Sequence, residues 1–378
     1  MVLTRSGDEQ GSSAAVPAAD VTDVTEPIIG PFSAGQAREA QPIAAPRLAR
    51  HVVTLSDGHQ IGLAVSGRGV PLVVIHGFSA EGFLYAQTLS RLVAKGFKVV
   101  ALDMAGHGGS QGLPSLGRDL GDYAELLGRT LDELGIGSTI LAGHSMGGRV
   151  VAQLAATRPE RTIGVLLVDA IVGDQWDLMV MLNRANPIFY AGLGGLLMLD
   201  TVSTLPVFRD PVQAMKLGRL VTPTLISHVL QPWRLVGGVA SIFRSRSSRH
   251  YLETLAAERV PVFVLHGDRD VAIPICTARS AARRAHGELI TVAGGTHSWL
   301  LKDPETLPAI VDDLLEDSLG DAIRNVLGQA GAASVEEIES LLYEQGAPIL
   351  ALTPEPRPTR SGEKHRRPRY RWERSAER

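Results

Sequence analysis

Apolar residues in this chain come in short unbroken runs rather than in alternation. Pro71-Leu72-Val73-Val74-Ile75 and Phe97-Lys98-Val99-Val100-Ala101-Leu102 are two of them, and Ser138-Thr139-Ile140-Leu141-Ala142 and Ile163-Gly164-Val165-Leu166-Leu167-Val168 are two more. Val260-Pro261-Val262-Phe263-Val264-Leu265 and Glu288-Leu289-Ile290-Thr291-Val292 complete the series. Runs of this kind suit strands of a parallel sheet covered on both faces. Helical patterns fall between them, at about 83–95, 116–134, 149–156 and 274–285, and a closing one follows at 304–317. In the second, Leu116, Leu120, Tyr123, Leu127 and Leu131 mark one apolar stripe. Ahead of the series, residues 51–65 read as a hairpin around Asp57-Gly58, a pair that tight hairpin turns favour. The expected class is α/β: a mostly parallel twisted sheet of about eight strands flanked by helices.

The beat breaks between 171 and 249, where helical patterns are punctuated by Pro187, Pro206, Pro211, Pro223 and Pro232. This span reads as a helical cap inserted over the strand ends. The core is then 47–170 and 250–318. Residues 1–46 lack periodicity and read as a disordered leader. Residues 319–354 read as a helical extension, with Ser334 as N-cap and Glu337 three residues on. Residues 355–378, rich in Pro and Arg, read as a disordered basic tail.

A chain of 378 residues, 44% hydrophobic and 20% charged, suits a soluble globular protein. A net charge of −3 gives no general attraction to nucleic acid, and no nucleic-acid partner is expected. Cys276 is the one cysteine, so no internal disulfide is available. The first residues lack a secretory pattern, and the apolar stretch 187–208 is interrupted by Asp200 and glycines, so a cytoplasmic protein is expected. Contact with a membrane surface through the cap or the basic tail is the open alternative. Arginine is favoured over lysine, as in a GC-rich bacterial gene.

The chemistry centres on Gly143-His144-Ser145-Met146-Gly147, which stands between an apolar strand and a helical pattern. Small residues two positions either side of Ser145 allow a sharp strand-to-helix turn with the hydroxyl at its apex. A serine hydroxyl near neutral pH needs a base within reach and a third group to orient that base. His297 lies just beyond the strand at 288–292, and Asp270 just beyond the strand at 260–265. Both therefore belong to the carboxyl edge of the sheet, where open parallel sheets gather their sites. Asp268 and Asp169 are rivals for the acid. Asp103 and His107 read as braces of a glycine-rich turn. His76, His144 and His266 read as packing, and Cys276 lacks any such turn. Gly77 lets the chain after Ile75 bend, so that the N–H groups of Phe78 and Met146 form the expected oxyanion hole.

Four segments in this order resemble the α/β-hydrolase fold superfamily, in its serine-nucleophile form with a cap. They are His76-Gly77-Phe78, Asp103 to Ser110 with Gly106-His107-Gly108, the turn at 143–147, and the Asp270 and His297 loops. Ala105 departs from the arginine or proline often found there. The resemblance implies acyl chemistry through Ser145, Asp270 and His297 (an aspartate would stand at 145 in the epoxide and haloalkane hydrolases). A P-loop, a dinucleotide-binding glycine motif and zinc spacing are missing from the sequence, so no cofactor or metal is expected. The expected function is hydrolysis of a carboxylic ester with a small, medium or lipid-like acyl group, a small molecule being the partner. Phe189 and Leu193 of the cap, with Trp299 beside His297, are the expected substrate-binding residues. C–C bond hydrolysis, acyl transfer, cofactor-free perhydrolysis and a non-catalytic binding role on the same fold stay open.

Overall fold

The computed structural model describes residues 2–4, 48–185 apart from 79 and 81, 233–328, 332, 334–352 and 367–376, with isolated positions between 215 and 230. Six central strands run parallel: β4 (Val70–Ile75), β5 (Phe97–Leu102), β6 (Thr139–His144), β7 (Thr162–Val168), β8 (Val262–Gly267) and β9 (Glu288–Ala293). β2 (Ala49–Thr54) and β3 (Gln60–Ser66) form the hairpin and add antiparallel to β5. These eight match the expected count. β1 (Val2–Thr4) and β10 (Arg371–Ala376) extend the two edges, giving the order β1-β2-β3-β5-β4-β6-β7-β8-β9-β10. Val2–Thr4 had been expected inside a structureless leader, but its short apolar run pairs antiparallel with Val52–Thr54.

Helix α1 (Ala86–Val93) follows β4, α2 (Leu120–Leu134) follows β5, and α3 (Met146–Thr157) follows β6. The α2 start corrects the sequence pattern. Leu116 and Gly117 both have positive φ, 65° and 73°, which no helix continues through. Asp119 then caps the helix by accepting the Gly121 N–H at 2.7 Å, and Leu116 is left exposed. In the cap span, α4 (Asp174–Ala185) and the helix Trp233–Arg244 are described. No helix among the described residues is long and apolar enough to cross a membrane.

The tail is a second correction. Residues 371–376 pair with β9 from Arg371↔Ala293 to Ala376↔Glu288. The run looked solvated because its polar groups find partners far away in sequence. Trp372 donates its indole N–H to Asp313 at 2.7 Å, and Arg374 bridges Glu288 and Asp317 at 2.6 and 3.0 Å. Just before the strand, the Arg369 N–H donates to Asp303 at 2.6 Å, and the Tyr370 ring meets Trp299 edge-on at 6.3 Å. β10 thus seals the β9 edge and touches the loop that carries His297. Trp372→Ala loses a half-buried indole and a charge-assisted hydrogen bond, together about 2 kcal/mol. Urea unfolding monitored by circular dichroism is expected to show that drop, and an unchanged midpoint would mean that β10 contributes nothing to the folded state.

Candidate active site

Ser145 ends β6 at φ 53° and ψ −116°, a conformation that side chains avoid at a cost of about 1–3 kcal/mol. Backbone bonds hold it there. Its N–H donates to Val168 O at 2.9 Å, and its carbonyl accepts from Ile171 and Gly148 at 3.2 and 3.1 Å. The glycines flanking it are required by contact. A Cβ on Gly147 would lie 2.4 Å from the carbonyl oxygens of Ile75 and His76, and one on Gly143 would lie 2.4 Å from Gly147 O. The end of β4 and the start of α3 therefore touch backbone to backbone. Ser145 itself is buried in this fold of the chain.

Asp270 and His297 lie at the same edge of the sheet, after β8 and β9. His297 Nδ1 donates to Asp270 Oδ2 at 2.7 Å. The other oxygen, Oδ1, accepts the N–H groups of Ala272 and Ile273 at 2.9 and 2.8 Å. Burial works against the Asp270 carboxylate, but attraction to His297, the hydrogen bond from it and attraction to His266 outweigh this and hold its pKa below the usual value. Asp268 is exposed and accepts the Gly294 N–H at 2.6 Å, so it braces the loop.

Asp169, the other rival, is fully buried after β7 and serves the site from behind. Its oxygens accept the Gly267 N–H at 2.9 Å and the Trp299 indole N–H at 2.6 Å. Trp299 was expected to line the substrate pocket. It is instead wholly buried, because its one polar atom is committed to Asp169. Burial and the nearby Asp270 charge raise the Asp169 pKa well above that of an ordinary carboxyl. Two carboxyls this close do not both ionise. The charged form of Asp270 is favoured beside His297, and the protonated form of Asp169 is favoured by its burial and by that charge. The His266 ring lies between them, Nε2–H donating to Ile273 O at 2.7 Å and Nδ1 3.5 Å from Asp169 Oδ1. Asp169, His266 and Asp270 bring three ligand atoms within 4.8 Å of one another, as a metal site would. The carboxylate oxygens are already committed to hydrogen bonds, whereas His266 Nδ1 has no hydrogen-bond partner.

His144, beside Ser145, is locked by a second chain of bonds. Its Nε2 faces His297 O at 3.0 Å and so carries the hydrogen, leaving Nδ1 to accept from the Tyr85 hydroxyl at 3.0 Å. That hydroxyl is bonded in turn to Gly77 N–H. The His144 and His297 rings lie 4.8 Å apart, tilted 43° to one another. His76 donates from Nδ1 to Gly77 O at 2.7 Å and accepts the Met104 N–H on Nε2 at 2.9 Å. Asp103 accepts from Gly82 at 2.8 Å and Gly109 at 3.0 Å, so it braces the turn as expected. Cys276 is exposed on the helix Ile275–Ala285.

Met146 opens α3, where an N–H has no intrahelical acceptor, and among the described residues no backbone carbonyl accepts the Phe78 N–H. The side chains of both residues meet the cap. A Cβ on Gly238, in the helix Trp233–Arg244, would lie 3.2 Å from the Phe78 ring and 3.7 Å from Met146 Cε. The helix Trp233–Arg244, within the expected cap span, thus packs near the two residues expected to form the oxyanion hole. Phe189 and Leu193 lie outside the described residues. The roles of Tyr85 and Trp299 had no local signature, since each is defined by a partner from another loop.

Comparison with known proteins follows the same boundaries. A profile described as the alpha/beta hydrolase family matches residues 72–309. A protein of Mycobacterium phage D29, provisionally named a non-heme haloperoxidase, is 33% identical over 257 residues, 67% of this chain and 90% of its own length. The bifunctional esterase/perhydrolase of Acinetobacter calcoaceticus is 28% identical over 272 residues, 68% of this chain and 95% of its own. The crystallised thermophilic esterase of Thermogutta terrifontis is 21% identical and covers 72% of this chain and 98% of its own, with a TM-score of 0.53.

Burial lowers the His144 pKa from an ordinary 6.5 to about 3. Below about 6.5 the unfolded chain therefore binds a proton that the folded chain refuses, and stability falls as pH drops from 6.5 towards 3. His144→Asn should flatten that fall by up to about 1.4 kcal/mol per pH unit. Denaturant midpoints measured across the window test this, and equal slopes for the two proteins would refute it.

Proposed function

This chain belongs to the alpha/beta hydrolase family, and from that premise we propose that it cleaves a carboxylic ester, of small, medium or lipid-like acyl type, through a serine acyl-enzyme. The observation that carries the reading is the 2.7 Å bond from His297 Nδ1 to the ionised Asp270. With Nδ1 held as donor, the neutral ring offers Nε2 as a base. In the proposed cycle the Ser145 hydroxyl oxygen attacks the ester carbonyl and its proton passes to His297. Asp270 orients the ring and stabilises the imidazolium. The N–H groups of Phe78 and Met146 receive the oxyanion, helped by the N-terminal dipole of α3. The imidazolium returns the proton to the departing alcohol. Water, deprotonated by His297, then attacks the acyl-enzyme and releases the acid and Ser145.

The names of two relatives favour a second use of the same residues. Hydrogen peroxide in place of water would release the acyl group as a peroxy acid and regenerate the serine without a redox cofactor. The two reactions share every step up to the acyl-enzyme.

A fluorophosphonate probe should label the native protein and leave Ser145→Ala unlabelled. Equal labelling of the two, or none of either, would remove the acyl-enzyme reading. A p-nitrophenyl ester series gives the acyl preference, and peroxy acid formation from acetate and peroxide, followed by bromide oxidation, decides between the two acceptors. Asp270→Asn should lower kcat on the preferred ester by about 10⁴-fold. Asp169→Asn replaces an acid whose neutral form burial favours and which does not touch His297, so its kcat should stay within about tenfold of the parent. The reverse order of losses would move the acid role to Asp169.

A further inference from the structure

A cavity of about 340 Å³ lies behind the nucleophile turn, between α3, α4 and the segment that leaves the cap. That volume is within the range of small-molecule sites. Ser145 is not among its walls. Arg149 is, one helical turn further along α3, and so is Ile171, whose N–H holds the Ser145 carbonyl. Trp176 adds to the apolar wall, and the exposed Leu178 and Met181 belong to the lining as well.

The charges lining this space do not balance. Arg149, Arg184 and Arg246 face one carboxylate, Asp177. Asp177 Oδ2 is already committed, accepting from Ser247 Oγ, Ser248 N and Ser248 Oγ at 2.6–2.9 Å. Its Oδ1 stands 3.7 Å from Arg149 Nη1, too far for a hydrogen bond. Arg149 is only 3% exposed. Its Nη2 donates to Arg246 O at 2.8 Å and its guanidinium lies over the Tyr251 ring, but its Nε–H has no acceptor. A buried guanidinium donor left without an acceptor carries a desolvation cost that an incoming oxygen would remove.

We propose that this cavity binds a carboxylate with an apolar body, its head against Arg149 and its body along Trp176 and Ile171. The ligand is of the class that the proposed ester hydrolysis would release, and only that coincidence rests on the proposed function. A guanidinium whose Nε–H lacks an acceptor suits a carboxylate, and the apolar wall disfavours a bare inorganic anion as the occupant. An arginine that only fastened the cap to α3 would leave the cavity indifferent to charge.

The test is titration calorimetry of full-length Ser145→Ala with octanoate, 1-octanol and inorganic phosphate. Octanoate is expected to bind at one site, and about tenfold or more tighter than octanol. Arg149→Met should weaken octanoate about tenfold and leave octanol unchanged. Because Arg149 is buried and its replacement can cost the fold, Leu178→Trp, at an exposed lining position, provides a second arm: it should fill the space and abolish octanoate binding while fluorophosphonate labelling of otherwise native protein persists. Equal binding of octanoate and octanol, tighter binding of phosphate, or octanoate binding untouched by Leu178→Trp would each overturn the proposal. A native protein that fails to label, with octanoate binding intact in Ser145→Ala, would count against the serine hydrolase reading alone.

Discussion

Two carbonyl oxygens, those of Ile75 and His76, stand 2.4 Å from where a side chain at position 147 would begin. Everything at the site depends on that approach. It brings the start of α3 against the end of β4, and so places the first amides of the helix beside the Gly77-Phe78 bend. It also forces the chain to reverse within one residue, which is why Ser145 takes a positive φ. Its tertiary support is the backbone of the next strand loop, through Val168 and Ile171. Sheet register, the glycine positions and the placement of the hydroxyl are thus one constraint seen from three sides.

Behind the site, two acids and two imidazoles divide a small number of protons in a space closed to water. Asp270 meets one histidine directly and two amides, and it holds the charge. Asp169 meets an indole, an amide and the other carboxyl's field, and its neutral form is favoured. The difference lies in the partners, since both are aspartates at the ends of adjacent strands. His144 is neutral for a related reason: both ring nitrogens are committed, and burial withdraws the solvent that would stabilise a second proton.

Much of this was legible in the chain. Buried parallel strands declare themselves because neither face tolerates polar residues, and Ser145, Asp270 and His297 each follow such a run within a few positions. The placement of all three at one edge needed only that pattern. What was hidden depends on pairing at a distance. The tail's arginines and tryptophan look solvated until Asp303, Asp313, Glu288 and Asp317 are set beside them. Trp299 reads as a pocket wall until Asp169, from another loop, is found to hold its indole. The α2 start moved because three positive-φ residues, Ser115 to Gly117, precede it, which apolar spacing does not reveal.

The positive φ of Ser145 has a consequence for how this protein would fare under selection. Glycine at 145 would relax a conformation that the serine holds only under constraint, and would gain roughly 1 kcal/mol of stability in doing so. The residue that carries the hydroxyl is thus a less stable choice at the turn than glycine. Heat tolerance and reactivity are therefore opposed at a single codon. A lineage screened for thermal survival alone would drift towards a sturdier fold with nothing at its apex.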